Sequence, residues 1–218
     1  MMATHPERSD RVFGSGAKAL IGLAFLIAIA FIVVAALPYR ALLSAESSAR
    51  DALSPLQFSY YPRRGWLLTH IAGGLVAILS GPFQLWMGFA DERLDVHRKL
   101  GYLYVLSVAV GAVAAFALAV TTLGGMVFGA GLFFLGVAWA TTTAFALVAI
   151  KRGLWDQHKE WTIRSYVVTF AFVVFRAGQV AMHAANIGTT QQEIDVMSWA
   201  CWAVPLLVTE VVLQARRR

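Results

Sequence analysis

The sequence predicts an all-α integral membrane protein: a bundle of six transmembrane helices with both termini in the cytoplasm. Composition is the first reason. Apolar residues make up 59% of the 218 residues and charged residues 14%, whereas soluble domains are about 45–50% apolar and about 25% charged. Apolar stretches that can cross about 30 Å of hydrocarbon recur along the chain, and Lys and Arg are concentrated between alternate stretches. The single cysteine excludes a disulfide scaffold.

Six apolar stretches organise residues 18–218 into one transmembrane domain. Each is expected to be a helix, because a helix satisfies every backbone polar group within lipid and the short alternating segments of a barrel are absent. The first stretch is longer than the apolar core of about 7–15 residues in a signal peptide, which predicts a retained anchor. The spans are expected at about 18–38, 66–88, 100–121, 127–150, 162–185 and 196–214.

The basic residues set the expected orientation. Of the 18 Lys and Arg residues, four fall on one side of the spans and one, Arg176, falls within a span; the others share the opposite side. Because cytoplasmic loops carry the excess of Lys and Arg, residues 1–17 are predicted to form a cytoplasmic tail. The formal net charge of +6 is thereby explained without nucleic acid. The four outer residues are Arg40, Arg50, Arg63 and Arg64.

One substantial outer loop is predicted at about 39–65. Residues 41–54 are compatible with a short helix on the membrane surface, with Leu42, Leu43 and Leu53 as its apolar face.

The end of this loop is rich in aromatic and basic residues. Tyr and Trp at the edge of a span are typical of an interfacial belt. The alternative is a lid in which Tyr61, Arg63 and Arg64 contact an anionic group above the bundle.

Four histidines fall into two pairs by depth. At 1.5 Å per residue, the 25 positions from His158 to His183 cover about 37 Å, a full crossing. His70 and His183 therefore form an outer pair, and His97 and His158 an inner pair.

Two imidazoles from different helices are the axial ligands that a six-coordinate haem b needs. For the inner pair, interfacial residues without a ligand are the alternative, since both precede their spans. Zinc or copper is disfavoured because no third ligand is evident.

The fifth span carries a polar stripe that is expected to face the bundle. Arg176 lies in it, and an arginine in a span needs a counter-anion, a water-filled cavity or carbonyl groups. A haem propionate, a bound anion, a quinone oxygen or the carbonyls beside Gly81 and Pro82 would serve. Arg176 with Gln179 is also compatible with an anion site of a transporter. The stripe comprises His158, Thr162, Ser165, Thr169, Phe172, Arg176, Gln179 and His183.

The outer histidines lead to a geometric expectation. If they hold one iron, their ring nitrogens lie about 4 Å apart. Small residues in the second and fifth spans, Gly73, Gly74 and Gly178, are then expected to open a flat slot between the helices.

Three histidine-led motifs resemble a known family. HIAGGLVAILSGPFQ at 70–84, HRKLGY at 97–102 and HKEWTIRSY at 158–166 are similar to the bacterial membrane family named domain of unknown function 2306. The resemblance covers about residues 66–180, and Thr162 stands where the family usually has Met. It implies a multi-span protein of the bacterial inner membrane and little about activity. A looser similarity is to di-haem cytochromes b.

The function predicted from these observations is a haem-b electron carrier or quinone-linked redox protein, with one haem at each histidine pair. The expected cofactor-binding residues are His70, His183, His97, His158 and Arg176. One alternative is a non-enzymatic accessory or assembly subunit of a membrane complex, and another is a transporter of small anions or molecules. The common phosphate-loop, metalloprotease and esterase motifs are missing, so enzymatic activity stays open.

Overall fold

The protein is helical throughout the part of the chain that the structure describes. This structure is a computed structural model that describes residues 15–53, 55–90 and 93–216, in which no strand occurs. The first fourteen residues of the predicted N-terminal tail lie outside the described residues. The α-helices are α1 (Ser15–Phe31), α2 (Glu46–Ala52), α3 (Pro55–Phe58), α4 (Arg64–Ala90), α5 (Leu94–Val120), α6 (Gly125–Lys151), α7 (Trp155–Thr169), α8 (Ala171–Ala184) and α9 (Thr190–Arg216).

Several of these helices are long and apolar enough to cross a membrane. Within the described ranges there are five such spans: Ile21–Leu43, Tyr61–Gly88, Leu94–Val120, Gly125–Lys151 and Thr190–Arg216. The pair α7 and α8, bent by 41° at a short break, makes a sixth if it is counted as one span. The all-helical membrane class predicted from the sequence is confirmed.

The helices extend beyond the apolar stretches that predicted them. Helix α5 begins at Leu94 rather than at 100, and α9 begins at Thr190 rather than at 196. Hydropathy detects only the part of a helix that matches the hydrocarbon, whereas backbone hydrogen bonding continues into polar turns. His97 and His158 consequently lie in the first turns of α5 and α7, not before them.

The outer loop folds back on itself as a small separate cluster. Leu42 and Leu53 are buried together with Ala49 of α2. Leu43, which was expected on the same apolar face, is 76% exposed. The predicted surface helix is therefore present but shorter, and its apolar contacts come from two of the three leucines.

Small residues on α4 bring the helices of the bundle into close contact. A Cβ atom built at Gly73 would lie 2.6 Å from the Ser107 carbonyl oxygen and 3.0 Å from the Gly111 Cα of α5. Gly178 of α8 is covered by the side chain of Met197 in the same way. These two glycines serve helix packing, so the expected slot between the second and fifth spans is absent at both positions.

The break between α7 and α8 divides the polar stripe of the fifth span. On α7, Ser165 is buried and Thr169 is partly buried within the bundle. On α8, Arg176 and His183 are exposed. The prediction that the whole stripe faces the bundle is therefore wrong for Arg176 and His183, which lie beyond the 41° bend at Phe170, whereas Phe172 at the start of α8 contacts His70 within the bundle.

Candidate functional site

The inner histidines face each other across two helices. The imidazole centroids of His97 on α5 and His158 on α7 lie 6.4 Å apart, with their planes at 89°. The sequence pairs these residues by depth, and the structure brings them into ring contact. Among the described residues this is the only contact between two histidine rings.

A tight turn and a backbone bond orient His158. Gly153, with φ of +72°, reverses the chain between α6 and α7, which returns the first turn of α7 to the end of α6. The His158 Nδ1 atom lies 2.9 Å from the Ala146 carbonyl oxygen. Because a carbonyl oxygen only accepts, Nδ1 carries a proton, and the neutral tautomer with that proton has its lone pair on Nε2. A histidine that donates Nδ1–H to a carbonyl has the orientation common among metal ligands.

His97 is held against α4. A Cβ atom at Gly88 would lie 3.0 Å from His97 Cε1, so the ring occupies space that only glycine leaves open. The buried Gln84 side chain donates from Nε2 to the His97 carbonyl oxygen at 2.9 Å. The His97 Nδ1 atom is buried without a hydrogen-bond partner, and a buried polar atom left in this state calls for a ligand or water.

Basic residues surround this end of the bundle. Arg98, Lys99 and Lys159 adjoin the two histidines in sequence, and all three are exposed. Within the described part of the chain none of them forms an ion pair. The inner histidine pair therefore lies beneath a cationic surface.

One further arginine at this level is buried and paired, which the sequence did not predict. Arg164 is 6% exposed and donates from Nε and Nη2 to Glu210 Oε2 at 2.9 and 2.8 Å. It also lies 3.4 Å from Glu160 Oε2, and its guanidinium stacks on Trp161, 4.7 Å from the ring centroid. The i, i+4 spacing of Glu160 and Arg164 could have predicted the ion pair between these two residues, whereas the contact with Glu210 joins distant parts of the chain.

His70 lies in an aromatic pocket in the other half of the bundle. Its Nδ1 atom is 3.0 Å from the Gly111 carbonyl oxygen. Its ring contacts Trp139 and Phe172 edge to face, with centroids 6.1 and 5.9 Å away.

His183 has a different partner. Its side chain is 77% exposed, and Nδ1 lies 3.3 Å from Oε1 of Glu193, whose side chain is only 4% exposed at the start of α9. The structure therefore does not bring His70 and His183 together. No signal in the sequence indicated Glu193, because the last span was predicted to begin at 196, six residues after α9 begins.

Arg176 and the outer basic residues lie on the opposite side of the bundle from the inner pair. Arg176 is exposed and donates to Gln179 Oε1 at 3.2 Å, so the expectation of a buried arginine is wrong. Arg63 donates to the Thr121 carbonyl at the end of α5.

The expected lid residues contact one another. Arg64 stacks on the Tyr61 ring at 4.2 Å, and the Tyr61 hydroxyl donates to the Ser44 carbonyl oxygen at 3.3 Å. These contacts connect the loop to the outer end of α4.

A buried hydroxyl network occupies the centre of the bundle, and only two of its members, Ser165 and Thr169, belong to the polar stripe predicted from the sequence. The Tyr104 hydroxyl is hydrogen-bonded to Ser165 Oγ and Thr169 Oγ1, both at 2.8 Å. Trp139 Nε1 donates to Thr169 Oγ1 at 2.8 Å, and Thr143 Oγ1 lies 2.7 Å from Ser165 Oγ. The network lies on α5, α6 and α7 and fixes their relative rotation, because each polar group has a partner in an apolar interior.

Among residues 15–53, 55–90 and 93–216 no group of three or more His, Cys, Asp or Glu side chains is arranged to hold a metal ion. Cys201 is buried and forms no disulfide. Two facing imidazoles are therefore the strongest candidate ligand set that these residues provide.

A comparison with models of known protein families identifies the family of this chain. A family model described as a predicted membrane protein (DUF2306) matches residues 67–213, which include His70, His97 and His158 and all helices from α5 to α8. No curated protein and no solved structure matches the chain, so the looser likeness to di-haem cytochromes b gains no support. The matched region covers well over half of the chain, and the protein therefore belongs to the DUF2306 family of predicted membrane proteins.

Proposed function

We propose that this protein is a membrane electron-transfer protein in which His97 and His158 are the axial ligands of one haem b. The observation that carries the proposal is the 6.4 Å separation of the two imidazole centroids. Each metal–imidazole bond is about 2 Å long, so two imidazoles on one iron have centroids roughly 6 Å apart. The proposal moves the best candidate from the outer pair to the inner pair.

The local chemistry also fits an iron ligand set. The bond from His158 Nδ1 to the Ala146 carbonyl leaves Nε2 available, and the His97 ring carries a buried nitrogen without a partner. Gly88 leaves the space that His97 occupies. The exposed side chains of Arg98, Lys99 and Lys159 suit the carboxylates of haem propionates.

When bound, haem b supplies reversible one-electron transfer. The protein's part is to hold both imidazoles neutral and oriented and to keep bulk water out of the apolar bundle. The buried position of the His97 ring and the backbone hydrogen bond of His158 hold the two imidazoles in fixed orientations. The cationic surface favours a partner with an anionic surface at this end, and a quinone or a membrane redox complex stays the predicted partner class.

The first test is an absorbance spectrum of the full chain purified in mild detergent from haem-replete cells. We expect a Soret band and, after reduction, the sharp α-band of six-coordinate haem b, at one haem per chain. His97→Ala and His158→Ala are each expected to abolish the six-coordinate spectrum. His183→Ala is the matched variant, since it removes an exposed histidine that has no contact with the inner pair.

Two outcomes would overturn the proposal. One is the absence of a Soret band from folded, monodisperse protein. The other is a spectrum that survives in His97→Ala and His158→Ala but is lost in His70→Ala or His183→Ala, which would return the cofactor to the outer pair.

A further inference from the structure

His70 keeps a free ring nitrogen within the membrane-spanning part of α4. Its Nδ1 atom lies 3.0 Å from the Gly111 carbonyl oxygen of α5, whereas Nε2 has no hydrogen-bond partner in the described ranges. Nε2 is also not buried, because among the described residues the only buried side-chain nitrogen or oxygen without a partner is Nδ1 of His97. The Nε2 atom of His70 is therefore open to a ligand.

The depth of His70 restricts what that ligand can be. His70 lies nine positions into the span Tyr61–Gly88, about 13 Å along the helix. The 28 residues of this span are about 42 Å long, so a centred span enters about 30 Å of hydrocarbon roughly 6 Å from its end. His70 is therefore within hydrocarbon, where an ionisable residue by default indicates a functional site. A ligand that reaches it must dissolve in the bilayer.

Aromatic rings from two other helices surround the imidazole. The ring centroids of Trp139 on α6 and Phe172 on α8 lie 6.1 and 5.9 Å from that of His70, both edge to face. Trp139 already donates its Nε1–H to Thr169, so it offers only the ring. Helix α4 packs mainly against α5, and α8 mainly against α9, so His70 lies where these two helix pairs meet. Such surroundings suit a planar aromatic ligand.

The bond to Gly111 decides which polar group the ligand must carry. Because a carbonyl oxygen only accepts, Nδ1 carries a proton, and the neutral tautomer with that proton has its lone pair on Nε2. A Cβ atom at Gly73 would lie 3.0 Å from the Gly111 Cα, so close packing of α4 on α5 holds the ring in this position. Nε2 therefore accepts a hydrogen bond and needs a donor. The carbonyl groups of a quinone offer only acceptors.

We propose that His70 is the hydrogen-bond acceptor of a binding site for a membrane quinol. A quinol dissolves in lipid, has a planar aromatic ring and carries hydroxyl donors, so it meets the requirements of depth, surroundings and tautomer together. The choice of a quinol rests on the proposed electron-transfer function, whereas the open acceptor nitrogen does not. Gly88, which adjoins the His97 ring, lies 18 positions after His70, about 27 Å along α4. A ligand at His70 therefore does not touch a haem at the inner pair.

Two substitutions at His70 separate a ligand contact from a packing contact. His70→Asn keeps an amide donor near the position of Nδ1, which can bond to the Gly111 carbonyl, but leaves no acceptor near Nε2. His70→Gln does the reverse, since its longer side chain places the amide oxygen near Nε2 and loses the donor near Nδ1. His183→Asn is the matched control, because it changes an exposed histidine whose partner is Glu193.

The purified full chain and these variants are titrated calorimetrically with duroquinol and with duroquinone in the absence of oxygen. The titrations are repeated in His97→Ala, so that electron exchange with a haem at the inner pair does not contribute. Wild-type protein is expected to bind duroquinol at least about tenfold more tightly than duroquinone. His70→Asn is expected to weaken duroquinol binding about tenfold or more, whereas His70→Gln and His183→Asn retain most of it.

Three results would overturn the quinol site. They are the absence of duroquinol binding, duroquinone binding as tight as that of duroquinol, and a loss of duroquinol binding in His70→Asn that is no larger than the loss in His70→Gln. The last result is the pattern of a histidine that serves packing alone. Quinol binding by a protein without a Soret band would overturn the haem and leave the His70 site intact, so the two failures are distinguishable.

Discussion

The Tyr166 hydroxyl donates to the Ile78 carbonyl oxygen at 3.0 Å, between α7 and α4. Ile78 lies four residues before Pro82, which is inside α4. Proline has no backbone N–H, so the Ile78 carbonyl lacks its helical donor. Tyr166 supplies the missing hydrogen bond from a neighbouring helix. The carbonyl freed by the proline, suggested by the sequence as a partner of Arg176, is thus bonded to a tyrosine instead.

A double-mutant cycle tests this relationship. Tyr166→Phe is expected to destabilise the protein by about 1–3 kcal/mol, because a buried carbonyl is left without a donor. In a Pro82→Ala background, Tyr166→Phe is expected to cost less unfolding free energy, because the introduced alanine restores the backbone N–H. The expected difference between the two backgrounds is at least about 0.5–1 kcal/mol. Denaturation in detergent micelles measures the free energy of unfolding of the wild type, the two single variants and the double variant. Equal costs in the two backgrounds would contradict the relationship.

The ring of Tyr166 also explains a glycine on α4. A Cβ atom at Gly81 would overlap the Tyr166 ring at Cε2, whereas one at Gly74 would meet no atom within 4 Å. We expect Gly81→Ala to destabilise the protein by about 1–3 kcal/mol through overpacking. Gly74→Ala, the matched change on the same helix, is expected to be neutral or stabilising by up to about 1 kcal/mol. Thermal unfolding curves measure the stability change of each variant. Similar changes for Gly81→Ala and Gly74→Ala would contradict the overpacking at Gly81.

The buried cation Arg164 gives a third prediction. Arg164→Leu removes the counter-ion that the carboxylates of Glu160 and Glu210 share. Losing one partner of a fully buried ion pair costs about 3–5 kcal/mol; because the Glu210 side chain is 42% exposed, we expect a smaller loss of about 2–3 kcal/mol.

Arg152→Leu, which removes an exposed arginine at the end of α6, is the control and is expected to change stability by less than about 0.5 kcal/mol. Adding Glu210→Gln to Arg164→Leu is expected to recover part of the loss. If the two arginine variants unfold at the same denaturant concentration, the ion cluster contributes nothing.

The orientation of the bundle is a fourth prediction, and the single buried cysteine makes it easy to measure. Wild-type protein is expected to resist a membrane-impermeant maleimide. Ser48→Cys in the outer loop is expected to react in intact cells, and Arg152→Cys only after permeabilisation, because the excess of Lys and Arg predicts that the basic loops face the cytoplasm. The reverse pattern of labelling would invert the topology.

The sequence by itself determined the helical membrane class. Apolar length and the positions of charged residues are local properties, so they predicted five spans, and a sixth if α7 and α8 count as one, with ends that differ from the observed ones by up to seven residues. They also predicted the short helix beside Leu42 and Leu53. The pairing of His97 with His158 was predicted from the rise per residue along the expected helices. The polar turns that extend α5 and α9 were missed, and Glu193 with them, because hydropathy records the hydrocarbon match and not the hydrogen-bonded length.

Only the tertiary structure decided which polar groups meet. The bend at Phe170 exposes Arg176 and His183 while Thr169 stays within the bundle, and a linear stripe contains no sign of that bend. The contacts of His97 with His158 and of Tyr166 with Ile78 join residues far apart in the chain. Such contacts depend on which helix faces fit at close range, through non-local packing at positions such as Gly81, and no local pattern of the sequence encodes that fit.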